Sequence, residues 1–581
     1  MIIVRDTFFD TVSDQLSNDL ASFGIRIDKS TKEALDSLLY VLCEGLKGKL
    51  LPEYYLSSLD CGVGKTQAIA AFIKVWKSSG FLPEGSILIG LRTKDEIRSL
   101  IDRLGLDDAD FACFTRDTEL NNRGRGDRDR HRARVLFTTQ QMIISRTGDR
   151  SFAAARDFHF DEDVRPLRIW DEGLLRAEPV TLSCSTLWGL IDPLKRRYNP
   201  FTEGLQAFNE QILATADRNA VSIPRALGDQ ARSILTEVGQ GKIDVSNLQR
   251  AALEKLRDVA GRSMLLISEG GRDSRVLVGA TRPLPKDFAP VVITDASGRV
   301  RSTYDVWQRQ GGLVRLPEKT NDYSRVCFHL WPRAVGKDVL SDAEKASPIY
   351  RRVAKIMGKR PKEPWLVISY QQEANLDVEG ELRSYLDKGV GFHFLNWGRH
   401  FATNEFRDIK SIVVIGSYLY PSASYHALNM AASERRGSDA DQTEIREITA
   451  GEMRHNFLQA VMRGNARQAR DGIAGECNVY VVASKYPDPK VILQNTFPGC
   501  SIEAWGDPNP VDDTQEGKLA RYLDRHFADP DAGPLQKGDI RSWLALRHPQ
   551  ALTRLLNSPK VAEVLSRWKV ERGHHQLARK K

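Results

Sequence analysis

Residues Leu59 to Thr66 read LDCGVGKT, a glycine-rich run that ends in a lysine and a threonine. The run is close to the phosphate-binding pattern G-x-x-x-x-G-K-[ST], but Leu59 stands where the first glycine is expected. Residues typical of a strand precede it, and apolar residues at helical spacing follow it. A strand, a glycine-rich loop and a helix in this order favour an anion site, because a helix N-terminus presents unpaired backbone amides.

The residue types within the loop suit a bound nucleoside triphosphate. Gly62 and Gly64 permit a tight turn and a close approach of the backbone to phosphate. Lys65 is expected to reach the β- and γ-phosphates, and the Thr66 hydroxyl is expected to bind Mg²⁺. The alternative is an ordinary strand-to-helix turn that ends in a surface lysine. The strand and the helix on either side favour a site for ATP and Mg²⁺.

Further stretches with polar residues follow the loop, each at the end of a predicted strand or on a predicted helix. They are SILIGLRTKDEIRSL from Ser86, VLFTTQQMI from Val135, RPLRIWDEGLL from Arg165, APVVITDASGRV from Ala289, NWGRHFATNEFRDIKSIVVIG from Asn396 and FLQAVMRGNARQAR from Phe457. In this order they resemble the motifs of superfamily 2 helicases and translocases of the DEAD/DEAH-box-like kind, in their phage or plasmid form. The resemblance covers Leu51 to Arg470. The superfamily's first motif is A-x-x-G-x-G-K-T, whose first position is variable, so it tolerates Leu59.

The resemblance implies roles for acidic side chains in the first half of the chain. Asp171 would hold Mg²⁺ through water, and Glu172 would polarise the water that attacks the γ-phosphate. Because an Asp-Glu pair is common in any protein, this assignment depends on its place after a strand and downstream of the loop. Asp295 to Ser297 resemble a degenerate form of the motif that links the two helicase domains. A strand that ends in a turn explains the same residues.

The same resemblance implies contacts with a nucleic-acid strand. These contacts are assigned to Arg92, Thr138, Thr139, Gln140 and Asn404, with Gly398 in the same segment as Asn404. For the segment of Arg92, a helix capping box formed by Thr93 and Glu96 is a sufficient alternative. The arginine-rich stretch Asn121 to Arg134 is predicted to be a mobile loop, which either tracks the strand or lies in solvent.

A basic segment near the end of the resemblance supplies candidate arginines. Gln459 and Arg463 match the superfamily's sixth motif by spacing. Met462 replaces a glycine of that motif, and its last arginine, Arg467, falls one place late. On a helix, both arginines would share a face with Gln459 and could reach the γ-phosphate across a cleft between domains. The alternative is a basic helix that faces solvent.

Strands and helices alternate again from Ser324 onward, which predicts a second parallel α/β domain. The predicted fold class is α/β, with two tandem RecA-like parallel-sheet domains, a helical insertion and a small helical C-terminal domain. The predicted bounds are 1–320 for the first RecA-like domain, 176–262 for the insertion within it, 321–495 for the second RecA-like domain and 496–581 for the accessory domain. The insertion and the accessory domain are candidate surfaces for a protein partner.

Composition sets the remaining bounds. The chain has 581 residues, a net charge of +8 and an isoelectric point of 9.0, which permits a polyanionic partner without requiring one. No apolar run approaches the roughly 20 residues of a membrane span, and no signal peptide is predicted. The seven cysteines are scattered, with no C-x-x-C or Cys/His cluster. We therefore expect a cytoplasmic protein without a membrane partner, a disulfide framework or structural zinc.

Together these patterns predict an ATP-dependent nucleic-acid helicase or translocase that hydrolyses ATP in the cleft between two RecA-like domains. By resemblance, DNA is favoured over RNA as the partner. Two alternatives stay open. One is a translocase subunit of a larger assembly that does not separate strands, and the other is a nucleotide-gated clamp with little turnover. The presence of Lys65, Glu172 and Arg463 argues against the clamp.

Overall fold

The computed structural model describes residues 6–148, 150–269, 274–281, 284–398, 405–433, 435, 442–505, 515–529, 532–546 and 548–580. The chain forms two compact units, Met1–Glu503 and Ala504–Lys581. Within the described ranges, none of the helices combines the length and the apolar character that crossing a membrane requires.

The strands are β1 Tyr54–Ser57, β2 Ile87–Leu91, β3 Phe111–Phe114, β4 Val135–Thr139, β5 Leu167–Asp171, β6 Glu178–Ser183, β7 Ala220–Ser222, β8 Ser263–Ser268, β9 Arg275–Thr281, β10 Val291–Thr294, β11 Leu313–Arg315, β12 Val326–Pro332, β13 Trp365–Ser369, β14 Phe392–Asn396, β15 Ser411–Ile415, β16 Cys477–Ala483, β17 Ser501–Ala504, β18 Leu535–Gln536, β19 Val570–Arg572 and β20 Gln576–Arg579.

The helices are α1 Thr7–Ser22, α2 Lys29–Leu46, α3 Lys65–Ser78, α4 Lys94–Leu104, α5 Thr118–Asn121, α6 Gln140–Thr147, α7 Cys184–Trp188, α8 Ile191–Leu194, α9 Asn199–Ala214, α10 Arg225–Gly239, α11 Asn247–Val259, α12 Ser302–Gln310, α13 Lys337–Leu340, α14 Ala343–Gly358, α15 Val378–Ser384, α16 Ser422–Ser433, α17 Gln442–Val461, α18 Pro489–Thr496, α19 Gln515–Ala528, α20 Lys537–Trp543, α21 Pro549–Leu556 and α22 Pro559–Arg567.

The first sheet carries the glycine-rich loop. Its seven strands lie in the order β11-β1-β10-β5-β2-β4-β3, and neighbouring strands are parallel. All five residues of β2 are buried, as expected for a strand covered on both faces. Because β1, β10 and β5 are neighbours, the loops at their carboxyl ends meet at one edge of the sheet.

The second sheet has six strands in the order β14-β13-β15-β16-β12-β17. The pairs of β12 with β16, of β13 with β14 and with β15, and of β15 with β16 are parallel. The prediction of two tandem RecA-like parallel sheets is therefore confirmed. α17 lies between β15 and β16 in the chain, and its buried apolar residues from Met453 to Val461 belong to the core of this sheet.

The segment between β5 and β10 is less helical than the sequence predicts. Helices α7 to α11 accompany a four-stranded antiparallel sheet in the order β6-β9-β8-β7. Leu266 and Leu277 join the helices in one core, whereas Val278 joins a second cluster with Ala427 and Met430 of α16. Since β8 and β9 are buried on both faces, they are nearly continuous apolar runs without the alternation that identifies a strand from sequence.

The second unit combines helices with short strands. Its core includes Leu519 and Leu523 of α19 together with Val561 of α22 and Leu577 of β20. β18, β20 and β19 form a three-stranded antiparallel sheet. The sequence predicts the helices but not these strands, which are too short to show a periodic pattern. The domain bounds drawn from the sequence remain a prediction.

Candidate nucleotide site at the junction of the two parallel sheets

The glycine-rich loop joins β1 to α3, as the sequence predicts. Gly62 and Gly64 have φ angles of 83° and 118°, a region of backbone conformation that favours glycine. Gly64 is the N-cap of α3, so the unpaired amides of the first helical turn directly follow the loop. The ammonium group of Lys65 donates to the carbonyl oxygens of Leu59 and Asp60, the latter at 3.2 Å.

The residue that replaces the first glycine of the pattern lies in the hydrophobic core. Leu59 is fully buried and belongs to the apolar cluster that α1, α2 and α3 share. A large apolar side chain at this position stabilises the base of the loop through burial. The loop therefore tolerates a leucine here.

Asp60 ties the loop to the segment between β11 and β12, which joins the two sheets. Its buried carboxylate accepts hydrogen bonds from the Tyr323 hydroxyl at 2.6 Å, the Asn321 amide at 3.2 Å and the Arg299 guanidinium at 3.2 Å. Arg299 also donates to the carbonyl oxygen of Thr496, at the end of α18, at 2.8 Å. Sequence reasoning missed this aspartate, because no local pattern separates a buried carboxylate from an exposed one.

The acidic pair follows β5 at the same edge of the sheet. The Thr294 hydroxyl, at the end of β10, donates to Asp171 at 2.6 Å. Glu172 has a φ of 65°, which is uncommon for a residue with a side chain, and its amide donates to the Thr294 carbonyl at 3.0 Å. The amide of Gly173 donates to the Asp295 carboxylate at 3.1 Å. The segment predicted to link the domains thus holds the acidic pair in place.

Burial changes the protonation of both acids. It raises the pKa of Asp171 to about 6, although the hydrogen bond from Thr294 lowers it. Burial also raises the pKa of Glu172 to about 7, with help from the negative charge of Asp171 and against the positive charge of Arg463. A carboxylate whose pKa is near neutrality can take up and release a proton at physiological pH, as a general base requires.

α17 brings side chains of the second sheet's domain to this edge. The Ser297 hydroxyl lies 2.7 Å from His455 Nδ1 and accepts from Gln459 Nε2 at 3.2 Å. The Ser297 amide donates to the Asp295 carboxylate at 2.8 Å, so one hydrogen-bond network connects the segment after β10 with α17. Sequence reasoning missed His455, although its spacing of four residues from Gln459 places both on one helical face.

A second set of contacts fixes α17 against the first domain. Arg301 forms a bidentate ion pair with Glu452, with nitrogen-to-oxygen distances of 2.6 and 3.1 Å. Arg454 donates to the Val300 carbonyl at 3.0 Å. Because Glu452 is buried, this pair is shielded from solvent and requires a fixed geometry.

The two candidate arginines do not share a helical face, so that part of the prediction is wrong. α17 ends before Arg463, and Arg467 lies in a short 3₁₀ helix of its own. Gly464, three residues after the end of α17, packs so closely on β15 that a Cβ atom there would lie 2.7 Å from the Ile412 side chain. Tertiary packing at the glycine therefore overrides the helical pattern.

Both arginines nevertheless lie beside groups of the first domain. Arg463 is 5% exposed and donates to the Gln459 side chain at 2.9 Å. Burial lowers the pKa of Arg463, and the negative charge of Glu172 raises it. A Cβ atom on Gly62 would lie 2.7 Å from the carbonyl oxygen of Arg467. The second domain thus approaches the loop at Gly62 and the acidic pair at Arg463.

The threonines assigned to nucleic acid have structural partners. Thr138 is fully buried, and its hydroxyl donates to the Phe114 carbonyl at 2.6 Å, which leaves it no surface for a strand. Thr139 caps α6, where its hydroxyl accepts from the Met142 amide at 3.3 Å. Asn404 lies outside the described residues.

Gln140 and Arg92 line a cavity of about 290 Å³ beside the acidic pair. The Gln140 amide donates to the carbonyl oxygens of Asp171 at 2.5 Å and Glu172 at 3.1 Å, so it supports the backbone of that pair. The capping box that starts at Thr93 is present, as the alternative for this segment predicts. Arg92 is exposed and remains a candidate for a nucleic-acid contact.

The arginine-rich stretch before β4 is anchored to α4 and to the segment between α4 and β3. Arg123 donates to Asp102 at 2.7 Å, and Arg125 donates to the Ala109 carbonyl at 2.6 Å. Arg125 and Arg128 are exposed, whereas Arg123 is half-buried. Neighbouring arginines in this stretch are therefore not equally available to a phosphate.

No protein-family model matches the chain, and no curated protein matches it. Solved structures of several proteins do match. The structure of S. tokodaii Xpd4 is 14% identical, with 80% of this chain and 99% of that chain covered and a TM-score of 0.41. Mycobacterium smegmatis helicase Lhr, bound to ssDNA and AMP-PNP, is 12% identical, with 93% of this chain and 57% of that chain covered and a TM-score of 0.33.

S. cerevisiae Dbp5, bound to RNA and ADP BeF3, is 11% identical, with 88% of this chain and 98% of that chain covered and a TM-score of 0.37. At TM-scores below 0.5 these likenesses carry no conclusion about the fold, the ligand or the activity of this chain. The phage- or plasmid-type assignment stays a prediction. With its two parallel sheets in the orders given above, the chain has an α/β fold with two tandem parallel-sheet domains.

Proposed function

We propose that the chain is an ATP-dependent nucleic-acid helicase or translocase that hydrolyses ATP between its two RecA-like domains. The observation that supports this most directly is the hydrogen-bond network through Ser297, which joins Asp295 to Gln459 on α17. Gln459 in turn accepts from Arg463, whose charge acts on Glu172. A nucleotide-driven motor needs such a link, because both domains must respond to the state of the γ-phosphate.

Each group has a distinct role in the proposed reaction. Lys65 would exchange its contacts with the loop carbonyls for phosphate oxygens. Glu172 would accept the proton of the attacking water, and its raised pKa suits that task near neutral pH. Arg463 would stabilise the negative charge that develops on the transferred phosphoryl group, with Arg467 as a second candidate.

The donor atoms also suit a magnesium ion. The Thr66 side chain is exposed in the first turn of α3, and Asp171 carries a carboxylate with one oxygen bonded to Thr294. Hydroxyl and carboxylate oxygens are ligands that Mg²⁺ prefers, together with water. We assign the ion to Thr66 and Asp171, and when bound it would neutralise phosphate charge.

The proposed second partner is a nucleic-acid strand, DNA in preference to RNA. A net charge of +8 suits a polyanion, and Arg92 and Arg128 are exposed basic residues of the first domain. Arg92 and Asn404 remain candidate contacts with the strand. The insertion and the C-terminal unit remain candidate surfaces for a protein partner. The free cysteines fit a reducing cytoplasm.

ATP hydrolysis tests the proposal when it is measured in parallel without nucleic acid, with single-stranded DNA, with duplex DNA and with RNA. We expect DNA to stimulate turnover more than RNA does. Lys65→Ala should abolish hydrolysis and weaken nucleotide binding, whereas Glu172→Gln should bind ATP without turning it over. Lys74→Ala is the matched control, because Lys74 is 53% exposed on the same helix, and it should behave as wild type.

Wild-type turnover in Lys65→Ala or in Glu172→Gln would contradict the nucleotide site. Turnover that no nucleic acid stimulates would contradict the motor while leaving the ATPase in place. A strand-displacement assay then separates the two forms of the proposal, since a translocase that does not unwind hydrolyses ATP on DNA without releasing the paired strand.

A further inference from the structure

The second sheet carries a cluster of potential metal ligands that the proposed reaction does not use. Cys327 and His329 are two residues apart on β12, so their side chains share one face of the sheet. The neighbouring edge strand, β17, contributes Glu503. One ligand atom from each residue lies within 4.8 Å of the other two.

The spacing of the imidazole and the carboxylate suits a tetrahedral ion. His329 Nδ1 and Glu503 Oε2 are 3.4 Å apart. Two nitrogen or oxygen ligands, each about 2.0–2.1 Å from a tetrahedral zinc ion, are about 3.3–3.4 Å apart. An ion pair between the imidazole and the carboxylate would explain this distance, but it would not account for the thiol of Cys327 beside them.

The imidazole of His329 is oriented by contacts of the kind that orient metal-bound histidines. Its Nε2 lies 3.3 Å from Asn478 Oδ1 on β16, and its ring stacks on Tyr480 with a centroid distance of 4.4 Å. If Nε2–H donates to the amide oxygen, Nδ1 carries the lone pair and faces Glu503. Metal-bound histidines almost always donate their other N–H group in this way, which fixes the tautomer and the ring orientation.

We propose that Cys327, His329 and Glu503 bind one zinc ion, with solvent completing its coordination. A thiolate and an imidazole favour zinc over magnesium, which prefers oxygen ligands. Because the ligands come from β12 and from β17, the ion would tie the edge strand of the second sheet to its neighbour. The sequence predicts no structural zinc, since these ligands come together only when β17 pairs beside β12.

Zinc binding by the full-length chain tests the proposal. The protein is kept reduced without added thiol and is titrated with Zn²⁺ against a chromophoric chelator. We expect one equivalent of bound Zn²⁺ in the wild type. Cys327→Ser and Glu503→Gln should each weaken binding at least about tenfold to a hundredfold, the loss seen when even a group that supports a ligand is removed.

Glu476→Gln is the matched control. The Glu476 side chain is 62% exposed and that of Glu503 is 64% exposed, and Glu476 immediately precedes β16 of the same sheet. This variant should bind Zn²⁺ as the wild type does. Since an ion that binds the folded state stabilises it, Zn²⁺ should raise the unfolding temperature of the wild type and of Glu476→Gln but not of Cys327→Ser.

Cobalt substitution reports on the thiolate directly. Co²⁺ bound by the wild type should show a sulfur-to-metal charge-transfer band, and Cys327→Ser should lack it. Failure of the wild type to bind an equivalent of Zn²⁺, or equal Zn²⁺ affinity in the wild type and Cys327→Ser, would overturn the proposal. Because Glu503 is exposed, Glu503→Gln keeps the test decisive even if Cys327→Ser does not fold.

Discussion

Replacing Asp60 by asparagine removes one charge from a buried ion pair and keeps the size of the side chain. The Asp60 side chain is fully buried, that of Arg299 is 6% exposed, and their nearest atoms are 3.2 Å apart. Removing one partner of such a pair costs about 3–5 kcal/mol, because the remaining charge stays out of water without compensation. The asparagine can still accept from Tyr323, but Arg299 would then face neutral oxygens such as the Thr496 carbonyl.

Thermal unfolding of the full chain measures this cost. With roughly 2.1 cal/mol/K of unfolding entropy per residue, the unit Met1–Glu503 loses about 1 °C in Tm per kcal/mol, so about 3–5 kcal/mol corresponds to a fall of about 3–5 °C. Asp102→Asn is the matched control, because Asp102 pairs with Arg123 and their side chains are 67% and 38% exposed. An exposed pair contributes about 0–1 kcal/mol, so the control should lose no more than about 1 °C.

A third variant tests a different contact of the Asp60 carboxylate. Tyr323→Phe removes a single hydrogen bond to Asp60 and should cost about 1.5–3 kcal/mol, the range for a hydrogen bond to a charged group. The expected order of unfolding temperatures is therefore Asp102→Asn, Tyr323→Phe and Asp60→Asn, from highest to lowest. An Asp60→Asn midpoint as close to wild type as that of Asp102→Asn would refute the reasoning.

Three further predictions concern turnover and binding. Arg463→Ala should lower ATP turnover about a thousandfold or more with little change in ATP affinity. Arg470→Ala, at an exposed position of the same segment, should leave turnover unchanged. Single-turnover kinetics measures the turnover of both variants, and ATP titration measures their affinity. Turnover should rise about tenfold between pH 6 and pH 8, because burial raises the pKa of Glu172 to about 7 and the base must be ionised; a flat profile of initial rates would contradict this role. Arg128→Gln should flatten the dependence of log Kd on log salt by about 0.7 for each phosphate of single-stranded DNA that the side chain no longer neutralises, and Arg123→Gln should flatten it less, since Arg123 is held in an ion pair; fluorescence anisotropy at several salt concentrations measures both slopes.

The strands that carry the candidate site could be predicted from the sequence. β1, β5 and β10 are short apolar runs that end in polar residues, and the run before Gly62 is followed at once by a helical pattern. Both signals are local, because strand and helix periods depend on residues a few positions apart. The parallel arrangement also followed from local information, since strands that alternate with helices are joined by crossovers.

Some predictions that depend on a residue's surroundings in the folded chain were wrong. Thr138 looks like a phosphate contact in the sequence, but it is fully buried and bonded to the Phe114 carbonyl. Arg463 and Arg467 look like neighbours on a helix, but α17 ends at Val461, before both. The antiparallel sheet of the insertion was missed, because its strands are buried on both faces and lack alternation.

The sequence by itself determined the order of the motifs and most of the elements on which they lie, because periodicity and the glycine pattern are properties of neighbouring residues. Only the tertiary structure decided that Asp60 bonds to Arg299 and Tyr323, and that Cys327 and Glu503 share one cluster. Each of these contacts joins distant parts of the chain. It forms because the spatial order of strands in the parallel sheets differs from their order in the chain, so distant residues become neighbours when those strands pair.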